Sequence, residues 1–336
     1  MTALGILWFV LIAVLICGYF VLDGMDLGVG VLYPVLGKTE TDKRLMMRSI
    51  GPVWDGNEVW LLTAGGALFA AFAPAYATTF SGFYLAIMLV LFGLILRAVS
   101  VEFVDRDPAW AKVWNICFFV GSLLPALLFG VAVGNIYAGV PLNANGDYAG
   151  FPLLGLVTPF TLLCGLVGLS MFMAAGASWI ALKAPEASDL RVRASSLRRI
   201  LQIVALALFL CLSVFAHFGD HPPMVEELAI VRFALAALFV IAMAGALLWN
   251  ANPDRDLHVF VLQSAAAVVL VFLLAASMFP TLVVASPAGA GASITVATAA
   301  SSDLALGWMT GIACIGVPLV LFYHVFVYRA FRGRIE

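Results

Sequence analysis

The run LGILWFVLIAVLICGYFVLDGMDLGVGVLYPVL, residues 4–36, decides the fold. A helix needs roughly 20 apolar residues to cross the hydrocarbon of a bilayer. This run is longer than that, contains no Lys or Arg, and carries Asp23 and Asp26 as its sole charges. No basic segment precedes it and no A-x-A-like processing site follows its apolar part, so it is expected to be a retained first helix and not a cleaved leader.

The rest of the chain extends the same pattern. Apolar stretches recur near 50–73, 76–104, 113–139, 152–182, 200–217, 227–249, 257–279 and 304–328. The stretch at 50–73 is interrupted by Asp55, Asn57 and Glu58. Short polar breaks separate the stretches, among them KTETDKR, FAPAY, PLNANGDYAG, KAPEASDLRVRASSLRR and a small-residue loop from Pro280 to Asp303. Of the 336 residues, 64% are hydrophobic and 11% charged, whereas a soluble domain is about 25% charged because it must hydrate its surface. Lipid is therefore the main solvent. Lipid offers no partner to a bare backbone amide, and spans this long and continuous exclude a barrel, so the expected fold is all-α. The reading is a single polytopic membrane domain, residues 1–336, with nine transmembrane helices, no internal repeat and no soluble domain.

Charge gives the orientation. Of the 17 Lys and Arg residues, every one but Arg232 follows an odd-numbered span or sits near its end. Basic loops stay cytoplasmic, which puts the N-terminus outside and the C-terminus inside.

Carboxylates inside the hydrocarbon cost a few kcal/mol each and mark functional candidates. Asp23 and Asp26 stand three residues apart on one helix face, and Asp55 and Glu58 repeat that spacing. The topology puts both pairs in the cytoplasmic half of the membrane. Arg97 reaches a comparable depth from the third span and is the basic residue placed to pair with them. Four carboxylates facing one guanidinium leave an excess of acid, which must be hydrogen-bonded or protonated. Two readings stay open. In one, Asp55 and Glu58 relay protons along a polar path open to the cytoplasm. In the other, Asp23, Asp26, Asn57 and Arg97 form a structural polar core that locks helices together. Gly24, Gly28, Gly30, Gly65 and Gly66 are expected to permit close helix approach.

Axial haem ligation in a membrane usually uses His, Met or Cys at matching depth. His217, His221, His258 and His324 all fall near span ends and read as interfacial, so the chain is expected to bind no haem through its own ligands. The five cysteines lie apart inside apolar runs and read as small buried hydrophobes. Zinc, P-loop and nucleophile-triad patterns are missing from the sequence, and no nucleic-acid partner is expected.

The same residues carry a family resemblance. DGMDLGVG (Asp23 to Gly30) and WDGNEVWL (Trp54 to Leu61) resemble the second subunit of cytochrome bd-type quinol oxidases. So do GGALFAAFAPAY from Gly65, SGFY from Ser81, GVAVGNIYAGVP from Gly130 and ASMFP from Ala276. The resemblance implies two four-helix bundles plus one peripheral helix. It also implies a haem-bearing first subunit with two b-type haems and one d-type, quinol as reductant, and oxygen reduced to water with cytoplasmic protons. A small single-helix accessory subunit, membrane lipids and a quinone bound by this chain are further expectations, all in a bacterial plasma (inner) membrane. Asp55 matches the family aspartate proposed to line a proton route. Glu58, glutamine in some relatives, resembles the cyanide-insensitive branch, where a third b-type haem replaces the d-type. The rival from another class is a secondary transporter or proton channel that uses the buried carboxylates for coupling.

Overall fold

The computed structural model describes residues 1–104, 106–218 and 226–335; His221 lies outside the described residues. The chain is helical almost throughout: α1 (Ala3–Leu36), α2 (Glu40–Ile50), α3 (Trp54–Ala71), α4 (Ala73–Gly82), α5 (Tyr84–Phe103), α6 (Ala111–Ala138), α7 (Pro159–Lys183), α8 (Asp189–Phe218), α9 (Ala229–Trp249), α10 (Asp256–Met278), α11 (Val296–Ala299) and α12 (Asp303–Ala330). Among the described residues, eight helices are long and apolar enough to cross a membrane, and they coincide with eight of the expected spans. The stretch at 50–73 forms α3, whose 18 residues carry Asp55, Asn57 and Glu58 within the first two turns. Those three polar residues keep α3 out of the apolar set.

Several expected boundaries move. KTETDKR, expected as a break, enters α2, an amphipathic helix started by a capping box between Thr39 and Asp42. The 76–104 stretch is not one helix: the chain turns at Phe72 and again at Phe83, which separates α4 from α5. The polar segment before residue 200 is helical from Asp189, because charged residues can continue a helix that hydropathy alone ends. The loop from Pro280 to Asp303 contains β1 (Thr281–Val283), β2 (Ile294–Thr295) and α11. This segment clasps the α6–α7 connection, with Val140 N–H donating to Val284 O at 2.9 Å and Gly291 N–H to Leu142 O at 2.8 Å.

The long helices α1 and α7 stand at the centre. α1 packs on α3, α6, α7 and α10, and α7 also packs on α6, α8 and α10. The two meet where backbones touch. A Cβ on Gly28 would collide with the Phe172 carbonyl and come within 3.0 Å of Gly176 N, and one on Gly176 would strike Gly28 and Val29. Gly24 faces the Phe172 ring and Gly30 faces Ser122. Gly65 and Gly66 do not serve close approach within this chain: a Cβ on Gly66 would meet nothing within 4 Å. One face of α3, comprising Asp55, Val59, Leu62, Gly66 and Phe69, is exposed.

At the basic end of the molecule an ionic network ties the helices. Arg198, 0% exposed, pairs with Asp256 at 2.9 Å, and Arg191 takes the other oxygen of that carboxylate at 2.9 Å. Arg193 reaches Asp42 at 2.7 Å, and the Lys183 ammonium donates to Phe331 O at 2.6 Å. α12 is peripheral: of its 28 residues Leu306 and His324 are buried, and it packs against α1 and α3.

Gly28→Val should destabilise the chain by about 1–3 kcal/mol, since neither backbone at the crossing can yield, and should lower the thermal midpoint of the detergent-purified protein. Gly66→Val should leave that midpoint within error of the parent.

Candidate functional site

The site grows from the crossing of α1, α3 and α5. On α1, Asp23 and Asp26 sit on one face and are both 0% exposed. On α5, Arg97 is 1% exposed, so its charge must be met by protein groups. One guanidinium nitrogen forks: Arg97 Nη2 lies 2.7 Å from Asp23 Oδ1 and 2.5 Å from Glu58 Oε1. Three helices thus share one cation. Asp26 takes a different partner, accepting from Asn57 Nδ2 at 2.8 Å, while that amide also reaches Leu22 O at 3.3 Å.

The residues expected to matter are therefore sorted by the fold into an interior and an edge. Asp23, Asp26, Asn57 and Arg97 are interior. Glu58 joins them through Arg97, but its side chain retains 25% exposure. Asp55 is on the exposed face of α3, in the first helical turn, and makes no hydrogen bond or ion pair among the described residues. Carboxyl groups on α3 and α1 thus pass from exposed Asp55, through half-open Glu58, to sealed Asp23, with Arg97 linking the last two. Buried ion pairs gain little net energy because desolvation offsets attraction, yet breaking one strands a charge. The geometry holds three helices together around one cation.

α12 completes the site in a way the sequence does not show. His324, expected to be interfacial, is 8% exposed and accepts from Trp60 Nε1 at 3.1 Å. Its Nδ1 lies 2.9 Å from Val320 O. One turn on, Tyr328 Oη donates to Asn57 Oδ1 at 3.1 Å. Two polar contacts from the last helix therefore hold the helix that carries Asp55 and Glu58. A pattern search could not pair these residues, since Asn57 and Tyr328 lie 271 positions apart. His217 and His258 are exposed.

A second feature is an apolar cavity of about 590 Å³ among α6 to α10, walled by Phe160, Met171, Phe209 and Leu270. Tyr137, His217 and Arg232 are also among the residues that line it.

Comparison with known proteins bears on nearly the whole chain. Residues 4–331 match the family model for cytochrome bd terminal oxidase subunit II. The chain is 37% identical to the probable cytochrome oxidase subunit 2 of Haemophilus influenzae, with 99% of this chain and 95% of that protein covered. It is 35% identical to cytochrome bd-I ubiquinol oxidase subunit 2 of Escherichia coli K12, with the same coverage. It is also 35% identical to cytochrome bd ubiquinol oxidase subunit 2 of Bacillus subtilis, with 100% and 98% covered. The structure of bd oxidase from Geobacillus thermodenitrificans shares the fold, with a TM-score of 0.79 at 13% identity over 98% of this chain and 99% of that one.

Arg97→Met should leave Asp23 buried without a cation and cost about 3–5 kcal/mol. The yield of folded protein from membranes should fall sharply. The double variant Arg97→Met, Asp23→Asn should recover much of it, which a simple volume defect at residue 97 would not allow.

Proposed function

Because this chain belongs to the cytochrome bd terminal oxidase subunit II family, we propose that it is the haem-free subunit of a quinol:oxygen oxidoreductase and passes cytoplasmic protons toward a haem-bearing first subunit. One observation carries the reading: Asp55 and Glu58 share a turn of α3, the first on the open face and the second hydrogen-bonded to buried Arg97. A carboxyl at the exposed face of a membrane-depth helix has no use to this chain alone. It gains one where a partner subunit covers α3, with Gly66 allowing a helix of that partner to come close. Asp55 then collects a proton at the joint between subunits, and Glu58 accepts or returns one across a single helical turn. Asp23, Asp26, Asn57 and Arg97 hold Glu58 in place.

On this reading α3 is the second of nine spans, the N-terminus is outside and the C-terminus cytoplasmic, in the plasma membrane of a bacterium. The positive charge supports it, since the network of Arg191, Arg193, Arg198 and Lys183 lies at one end of the bundle. The haems, whether d-type or a third b-type, belong to the first subunit, where they supply the redox chemistry. An isoprenoid quinone bound by this chain is supported by the apolar lining of the 590 Å³ cavity, which also includes the polar side chains of Tyr137, His217 and Arg232 to meet a ring carbonyl. The transporter reading is disfavoured by the match to oxidase subunits along nearly the full length of the chain.

Asp55→Asn should slow quinol-driven oxygen consumption by about tenfold or more, a barrier increase of ~1.4 kcal/mol. The haem absorption spectrum of the purified complex should not change. Full activity would remove the relay role, and loss of the haem-bearing partner would make Asp55 a scaffold residue. Solvent extraction of the complex, first washed free of exchangeable quinol, should release a quinone, and Ala236→Trp, which intrudes on the cavity, should lower the amount released per haem while the haem spectrum persists.

A further inference from the structure

Nine buried side-chain atoms have no hydrogen-bond partner among the described residues, and five of them belong to the Arg97 cluster. They are Tyr19 Oη, Asp23 Oδ2, Asp26 Oδ1, Arg97 Nε and Arg97 Nη1. Buried polar atoms are nearly always paired, because an unpaired one has lost its hydration with nothing in return, and the cost is larger for charged groups. Five in one place, on residues 0–1% exposed, would outweigh the net gain of the cluster's own ion pairs. The set contains both kinds of group, with donors on Arg97, acceptors on the two aspartates, and Tyr19 able to act as either. A small molecule that both donates and accepts satisfies all of them, whereas a metal cation would be repelled by the two guanidinium donors.

Charge points the same way. Asp23, Asp26 and Glu58 face one guanidinium; of the other polar groups around them, Tyr19 on α1, Asn57 on α3 and Tyr328 on α12 bring no cation, and Asp55, one turn from Glu58, adds a further carboxyl. Asp26 alone of the three carboxyls has no direct contact with the cation; its partner is the Asn57 amide. Solvent is close by. Tyr328, which bonds Asn57, also lines a cavity of about 770 Å³ with Arg48, Ser49 and Lys183 at the basic end of the bundle.

We propose that the cluster is a binding site for ordered water, which joins Arg97 Nε and Nη1 to Asp26 Oδ1 beside the neighbouring Tyr19 and Asp23 side chains, and that this hydrated network stores an excess proton beyond Glu58. The proposal extends the proton-relay reading by giving the relay an interior reservoir, and it makes Tyr19 and Asp26 its members. No bond other than O–H is made or broken: a proton from the medium resides on the Asp26–water pair and leaves by the way it came.

The test is an experimental structure of the intact oxidase complex at a resolution that shows ordered water. It is paired with infrared difference spectra in H2O and D2O of the complex and of its Asp26→Asn and Tyr19→Phe variants. The expected result is density within hydrogen-bond distance of both Arg97 Nε and Asp26 Oδ1. A deuterium-sensitive carboxylic C=O band should be lost in Asp26→Asn and shifted in Tyr19→Phe. If Asp26→Asn does not assemble with the haem partner, Tyr19→Phe carries the spectroscopic arm. Direct Arg97–Asp26 contact with no intervening density, or a band unmoved in the variants that assemble, would overturn the proposal. Full activity of Asp55→Asn alongside the expected density would remove the relay and leave the water site standing.

Discussion

One guanidinium organises this protein. Arg97 brings α5 to α1 through Asp23 and to α3 through Glu58, inside a membrane where no lipid group could stand in for either carboxylate. Apolar packing among helices in lipid is only weakly selective, because hydrocarbon solvates Leu as well as a neighbouring helix does. A buried ion with two fixed acceptors is selective. It admits one depth and one rotation for each helix, and the α1–α7 crossing at Gly28 and Gly176 then fixes the fourth helix against that trio.

How much of this the sequence reveals depends on distance along the chain. The spans are legible because each is a local property of about 20 residues, and Asp23 with Asp26 is legible because a helix puts i and i+3 on one face. The pairing with Arg97 is legible by depth, since charge is so scarce that few cations can reach. What depth cannot decide is which carboxylate meets the cation. Asp26 bonds Asn57 and Glu58 bonds Arg97, a choice made by the rotation of α3 about its axis. His324 is misplaced for a related reason: counting residues from the end of a span gives its height but not whether Trp60 stands opposite.

Hydropathy also misses the polar helices. α2 and the first turns of α8 look like loop because their residues are charged, yet they are where Asp42, Arg193 and Arg198 make their contacts. The clasp between Val140 and Val284 is equally hidden, since backbone hydrogen bonds leave little trace in side-chain pattern. Both ends of the bundle are therefore more ordered than a tally of apolar spans suggests, and the membrane part is fastened above and below.

The polar attachment of α12 has a consequence for how the molecule is made. α12 is made long after α3, and it carries the imidazole and the phenol that satisfy Trp60 and Asn57. Until it arrives, an indole N–H and an amide oxygen on α3 lie open in a medium that cannot solvate them. A chain truncated before residue 324 would keep that defect permanently. The helix from Asp303 to Ala330 therefore acts as a seal: the inward face of α3 acquires its finished polar pattern only when α12 is in place, although the two helices are separated by most of the chain.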